Sequence, residues 1–358
     1  MAGIADVAQL AGVSKSTASR ALTGSGYVSD ATRSRVRSAA ESLGYVASNS
    51  AVSLATGRTN TIGVVMPHLN RWFFAEVLEG IQQSLLVHGL DLTLYDAEPG
   101  TAGRARIFGD FLARKRFDGL IAVGLEPDDH ELERLVAIDR PVVSVVGSTA
   151  ATTLVAVDDE DAGRRATQHL LGLGHRDIAF LGGNLERHWA QVDRHRFEGY
   201  QGAMAEAGFA EQSAHIPSDV TMPGAYASAV DALGDARARP TALVATCDEV
   251  AIGAIIAARR LGVQVPSDLS VIGIDDHEFA EMFSLTTLQQ SPRDQGRVAV
   301  NLILEHIADP TRAKTRVEMK SKLVVRNSTG PWGPRQSVAA VDGGRQDPHR
   351  APGAAEST

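Results

Sequence analysis

Lys15, Ser16, Ser19 and Arg20 fall within six positions and share one face if the segment is helical. These residue types fit DNA. A guanidinium can grip guanine O6 and N7 with two donors, worth roughly 1–3 kcal/mol of discrimination against the wrong base. Arg20 suits that role, Lys15 reaches guanine or a phosphate, and Ser16 is short and reads either strand weakly. Thr17, Ser19 and Thr23 suit phosphate oxygens, contacts that position a protein without specifying sequence. For Thr17 and Ser19 a purely local helix role competes with that reading.

Positioning such a face requires a short helix set against another. Ile4, Val7, Ala8 and Ala11 recur at i, i+3, i+4, i+7, one face of a helix. Gly3 is an acceptable N-cap. Gly12 follows the last periodic residue and can take the left-handed conformation of a sharp turn. Ser14 then caps a second segment with Thr17, Ala18, Ala21 and Leu22 on its inner side. Ala8 and Ala18 are small enough for close approach. The pattern is a helix-turn-helix whose second helix can enter a major groove. An ordinary helical hairpin is the alternative. A third helix, capped by Ser29 and ended by Gly44, carries Thr32, Val36, Ala39, Ala40 and Leu43 as its expected buried stripe, with Arg33, Arg35 and Arg37 outside.

The 358 residues suffice for a small domain and a large one. Net charge is −8, but residues 1–58 carry six basic groups against three acids, so a basic head precedes an acidic body of net −11. That asymmetry suits a head on phosphate and a body held off it. Cys247 is the only cysteine, so no intramolecular disulfide forms. With no basic-then-apolar leader and no run of about twenty apolar residues, a cytoplasmic protein that spans no membrane is expected.

From Thr61 short apolar runs alternate with helical patterns. Strands are expected at 62–66, 92–95, 119–123 and 142–146, then at 178–181, 242–245 and 269–274. Helices are expected at 104–114, 130–138, 161–173, 195–207 and 249–261. Two such series predict two doubly wound α/β lobes. Gly330 to Thr358 lacks periodicity and reads as a disordered tail.

Asp6-Val-Ala through Ser19-Arg20-Ala-Leu22, Tyr27-Val-Ser, Leu43-Gly-Tyr45, and Leu54 with Gly57-Arg-Thr-Asn-Thr-Ile-Gly63 make the chain resemble the LacI/GalR family of bacterial transcription regulators. The resemblance runs to about Thr329. It implies an all-α helix-turn-helix head (1–47), a hinge helix or linker (48–58), and a periplasmic-binding-protein-like body (59–329) with lobe crossings near 159, 290 and 320. It places Lys15, Ser16 and Arg20 at the family's specificity positions. It makes Asn49, Ala51 and Leu54 minor-groove hinge contacts, with Leu54 an apolar wedge that bends the duplex. Ala47 stands where the family usually has proline and Val52 where it usually has arginine, which weakens the expected hinge. The tail has no leucine, so the leucine-heptad tetramer of some members is not expected. A homodimer on a pseudo-palindromic operator, with a CG central step, is.

The resemblance also implies a small-molecule effector, a sugar being the family's commonest, in a cleft built from loops at the carboxyl ends of strands. Asn70, Phe73 and Phe74 follow the first strand, and aromatic faces suit a sugar or purine; core packing is an even alternative for Phe74. Arg196 and Asp275 match effector-binding positions. Cys247 stands where many relatives have asparagine and cannot replace an amide's paired donor and acceptor. Asp276 is expected to be structural, and His188 and Trp189 could line the mouth. His175-Arg-Asp177 lacks the asparagine of a kinase catalytic loop. Asp158–Asp161 lacks the spacing of a calcium site and reads as a helix start. No zinc spacing, P-loop or GxSxG occurs. A repressor needing no cofactor or metal, and not an enzyme, is therefore expected. A cytoplasmic receptor or a cleft enzyme without DNA regulation is the alternative.

Overall fold

The computed structural model describes residues 2–24, 26–45, 57–147, 151–183 and 190–333. Asn49, Ala51, Leu54, His188 and Trp189 lie outside the described residues.

The head folds as α1 (Ile4–Leu10), α2 (Lys15–Thr23) and α3 (Asp30–Ser42). Asp6 accepts from the Gly3 N–H at 2.8 Å. Ser14 Oγ accepts from the Thr17 N–H at 3.1 Å and Ser29 Oγ from the Thr32 N–H at 3.4 Å, satisfying donors that a helix start leaves open. Gly12 turns between α1 and α2 at φ +65°. Val7, Ala8, Ala11, Ala18, Ala21, Val36, Ala39 and Ala40 form the core. Leu43, expected inside, is instead 36% exposed, because α3 ends at its C-cap there and the turn at Gly44 brings Tyr45 onto the core in its place. Thr32 is only half-buried, and Arg33 is drawn partly inward while Arg35 and Arg37 face solvent.

The body begins with strands β1 (Thr61–Met66), β2 (Asp91–Asp96), β3 (Gly119–Val123), β4 (Val142–Val145) and β5 (Thr153–Val157). It continues through β6 (Ile178–Leu181), β7 (Ala214–Ile216), β8 (Ala242–Ala245), β9 (Ser270–Asp275) and β10 (Thr286–Gln289). β11 (Arg316–Met319) and β12 (Lys322–Val324) close it. They make two sheets, ordered β11-β5-β4-β3-β1-β2 and β12-β10-β9-β8-β6-β7. Every pairing is parallel except β10 with β12. Between the strands run α4 (Trp72–Val87), α5 (Ala102–Arg106), α6 (Asp129–Ala137), α7 (Asp159–Gly172), α8 (Gln191–Glu206), α9 (Met222–Gly234), α10 (Asp248–Arg260) and α11 (Pro292–Ala308).

Each sheet is covered on both faces, so each lobe has two apolar clusters. The buried runs of β3, β5 and β9 follow from that double cover. The chain passes between sheets at 157–159, 289–292 and 319–322, and α11 packs against the first lobe. The single helix expected over 104–114 is instead α5, a wider turn over Ile107–Phe111 and a tight one over Leu112–Arg114. Ile107, Phe108 and Leu112 all reach the core. The tail assignment from Gly330 also needs correction at its start. His175 is fully buried under residues 330–332, with its Nε2 3.1 Å from Gly330 O and its ring stacked on Trp332. The Trp332 N–H donates to Leu173 O at 2.8 Å. Residues 334–358 lie outside the described residues.

Candidate DNA-reading face and interlobe cleft

On α2, Lys15, Ser16 and Arg20 are exposed while Ala18 and Ala21 face the core. The first turn of α2 contains no acid, so Lys15 sits at the positive end of the helix dipole without compensation. That placement gains nothing for the isolated head and suits an incoming anion. The stem of Arg20 lies over the turn at Gly26, where an added Cβ would stand 3.5 Å from Cδ. Thr17 Oγ1 lies 2.8 Å from Ser14 Oγ, and Thr23 Oγ1 donates to Ser19 O at 2.9 Å. Both hydroxyls therefore have local partners. Tyr27, 94% exposed beside this helix, is not among the contacts read from sequence; an exposed aromatic in a polar loop is the only signal for it.

A cavity of about 800 Å³ lies between the lobes, at the carboxyl ends of their strands. Phe73 and Phe74, at the start of α4, line one wall, edge to face at 5.7 Å and 89°. A Cβ on Gly124 would stand 2.6 Å from Phe74 Cε1, so the glycine makes room for the ring. Asn70 is exposed and is not among the lining residues. Arg196, Cys247 and Asp275 line the facing wall, together with Asp193 and Gln290.

Arg196 is 5% exposed and fully engaged. Its Nε donates to Asp159 Oδ1 at 2.9 Å, its second nitrogen meets the same oxygen at 2.9 Å, and its third donates to Thr246 O at 2.6 Å. Burial opposes its charge, but Asp159, then Asp275 and Asp193, raise its pKa above the usual guanidinium value. This reach across two helices needs glycine. A Cβ on Gly163 of α7 would stand 2.0 Å from Arg196 O, and one on Gly199 of α8 would stand 2.0 Å from Glu160 O.

Asp275 ends β9 at φ +140°, a conformation L side chains rarely adopt. Its Oδ1 accepts from Gln290 Nε2 at 2.5 Å. Burial pushes its carboxyl up to about 8 against the pull of Arg196, with Asp248 pushing the same way. Asp193 is also raised by burial, although Thr246 Oγ1 donates to it at 2.5 Å. Cys247 precedes α10 without a side-chain cap, and burial pushes its thiol well up, so it lines the cleft as a neutral group. Asp276 is outside the lining and holds Arg326 and Gln289, both at 2.7 Å.

The lobes also touch across the cleft. The Gln191 N–H donates to Glu126 Oε1 at 2.6 Å, and the rings of Trp72 and His277 lie 4.9 Å apart. Arg71 lines the cavity, as do Arg104 and Glu131, a buried pair at 2.6 Å. Sequence reasoning missed Asp159, Asp193, Arg71, Trp72, Gln290 and the Arg104–Glu131 pair. Among the described residues no group of three His, Cys, Asp or Glu side chains is arranged to hold a metal, and no helix is long and apolar enough to cross a membrane.

A three-helix head with an exposed recognition helix, joined to a two-lobed body around a cleft lined by aromatic and charged side chains, defines a DNA-binding transcription regulator with a ligand-binding body. Residues 3–48 match the family of bacterial regulatory proteins, lacI family, and residues 167–329 match the periplasmic binding protein-like domain. The chain is 33% identical over 338 residues to the HTH-type transcriptional repressor PurR of Vibrio campbellii, covering 92% of this chain and 98% of that one. It belongs to the LacI family of bacterial regulatory proteins. Among solved structures, the Lac repressor dimer bound to operator and the anti-inducer ONPF matches at TM-score 0.80 and 26% identity, over 92% of this chain and 99% of that one. The transcriptional regulator CelR–cellobiose complex matches at TM-score 0.67 and 28% identity, over 92% and 100%. These relatives are regulators, not enzymes.

Proposed function

We propose that this regulator is a repressor that binds a pseudo-palindromic operator as a homodimer and is controlled by a neutral, hydroxyl-rich effector of the sugar class in the interlobe cleft. The head spans 1–47, the linker 48–58 and the body 59–329. Lys15, Ser16 and Arg20 read bases, Thr17, Ser19 and Thr23 meet phosphates, and Asn49, Ala51 and Leu54 enter the minor groove. The carrying observation is the cleft's lining. Asp275 and Asp193 offer acceptors, Arg196 is fixed in place by Asp159, and Phe73 and Phe74 stand opposite. Carboxyl groups beside a fixed arginine suit ligand hydroxyls, and aromatic rings suit the apolar face of a pyranose. The operator-bound Lac repressor dimer and the cellobiose complex of CelR support the same reading. A receptor role for the cleft, rather than catalysis, is supported by its polar groups being tied to one another, with no nucleophile and base poised together among the described residues.

Selection from a random duplex library tests this. The expected winner is a two-fold symmetric site whose binding weakens steeply with salt, and Arg20→Ala should lose about five-fold or more in affinity, as expected for one base contact of 1–3 kcal/mol. Recovery of no symmetric site, or full affinity in Arg20→Ala, would count against it.

A further inference from the structure

Not all of the cationic surface lies on the head. Arg114, Lys115 and Arg116 are three consecutive exposed cations on a body that is otherwise acidic. None forms an ion pair with an acid among the described residues. Their geometry is held. Arg114 stacks over the Phe111 ring, 4.7 Å from its centroid. Lys115 sits at φ +47°, turning the chain sharply between its neighbours. Phe117, next in sequence, is fully buried and pins the ridge to the lobe.

Their location gives them a partner. Asp118, two residues beyond Arg116, accepts from Thr59 N–H at 2.7 Å, Thr59 Oγ1 at 3.0 Å and Asn60 N–H at 2.9 Å. Thr59 and Asn60 are where the chain arrives from the DNA-binding head, just before β1. The turn carrying the three cations is thus stapled to the incoming linker. It lies before β3, at the amino ends of β1 and β3, opposite the effector cleft at their carboxyl ends. From Tyr45 to Thr59 the chain can span at most about 50 Å even when fully extended. A duplex held by the head therefore runs within reach of this end of the body.

We propose that Arg114, Lys115 and Arg116 form a second, body-borne contact with the phosphate backbone of DNA flanking the site read by the head. The contact is independent of base sequence, and it links lobe position directly to DNA affinity, in addition to any link through the hinge.

The test compares the full-length protein with its Arg114→Gln/Lys115→Gln/Arg116→Gln variant on a 40-base-pair duplex. A second duplex is cut to about 18 base pairs, enough for two half-sites one helical turn apart. Removing one cation from a phosphate makes the slope of log affinity against log salt shallower by about 0.9. The triple variant should flatten it by up to about 2.7 per engaged protomer on the long duplex, and by nothing on the short one. Arg116→Gln alone should flatten it by about 0.9, which keeps the test available if the triple variant folds poorly. A random-sequence long duplex should show the same flattening, separating this contact from operator reading. An unchanged slope on the long duplex, or an equal change on both lengths, overturns the proposal. So does a variant that only melts earlier, the signature of cations merely complementing a helix carboxyl end.

Discussion

Replacing Arg196 with methionine should be the most damaging single change in the cleft. The side chain is 5% exposed and makes its contacts to Asp159 and Thr246 O at 2.6–2.9 Å. Its removal leaves Asp159, Asp193 and Asp275 buried near one another without their shared cation. Breaking a buried pair in this way costs about 3–5 kcal/mol. A domain of this size shifts its melting point by roughly 2–4 °C per kcal/mol, so a fall of about 6–20 °C is expected. The partner substitution should be milder. Asp159→Asn leaves Arg196 in the field of Asp275 and Asp193, so about 1.5–3 kcal/mol is expected, the value of a hydrogen bond to a charged group. In the double variant Arg196→Met/Asp159→Leu the pair is replaced by apolar groups, and at least about 1 kcal/mol should return relative to Arg196→Met alone. Urea unfolding followed by tryptophan fluorescence measures all three. A cost below about 1 kcal/mol for Arg196→Met, or a double variant no more stable than Arg196→Met alone, would refute this electrostatic reading of the cleft.

Other outcomes follow from the same geometry. Asp275 holds its proton up to about 8, far above the roughly 3.9 of an unfolded aspartate, so the folded chain binds more protons between those values. Stability should therefore fall as pH rises from about 4 through 8, and Asp275→Asn should flatten that decline in melting curves at pH 6 and pH 9. Gly163→Ala forces α7 and α8 apart where a Cβ would stand 2.0 Å from Arg196 O, so both melting point and effector affinity should drop, as thermal shift and calorimetry would show. Leu54→Ala should cut operator affinity and the operator bend together in gel-mobility assays; a bend of full size would remove the wedge role.

The head is legible because its signals are local. Ile4, Val7, Ala8 and Ala11 repeat at helical spacing, Ser14 and Ser29 cap, and Gly12 turns. The body's first four strands are equally plain as apolar runs between helical patterns. β5, whose Thr153-Leu-Val-Ala-Val157 is wholly buried, does not stand out, because it follows β4 closely with no helix between them. β7, β11 and β12, at the sheet edges, bury too little to leave a signature. In the cleft, Phe73, Phe74, Arg196, Cys247 and Asp275 line the cavity, and the family resemblance, rather than any periodicity of their own, is what singles them out. Asn70 points elsewhere, since the chain turns outward just before α4. Asp159 was hidden for a physical reason. An acid at a helix start is accounted for by the dipole alone, and its pairing with Arg196 exists only because Gly163 and Gly199 let two helices touch.

The proposed control of this regulator rests on coupling between two sites, a DNA-reading head and an effector cleft. Its most direct measurement is operator affinity of the full-length protein with and without the strongest thermal-shift hit from a panel of sugars and sugar phosphates. Linkage requires that the ligand change operator affinity by some factor, and that operator change ligand affinity by the same factor. A shift of at least about five-fold, equal in both directions and absent in Asp275→Asn, is predicted. A cleft ligand that leaves operator affinity unchanged, or one whose effect survives Asp275→Asn intact, would contradict the account.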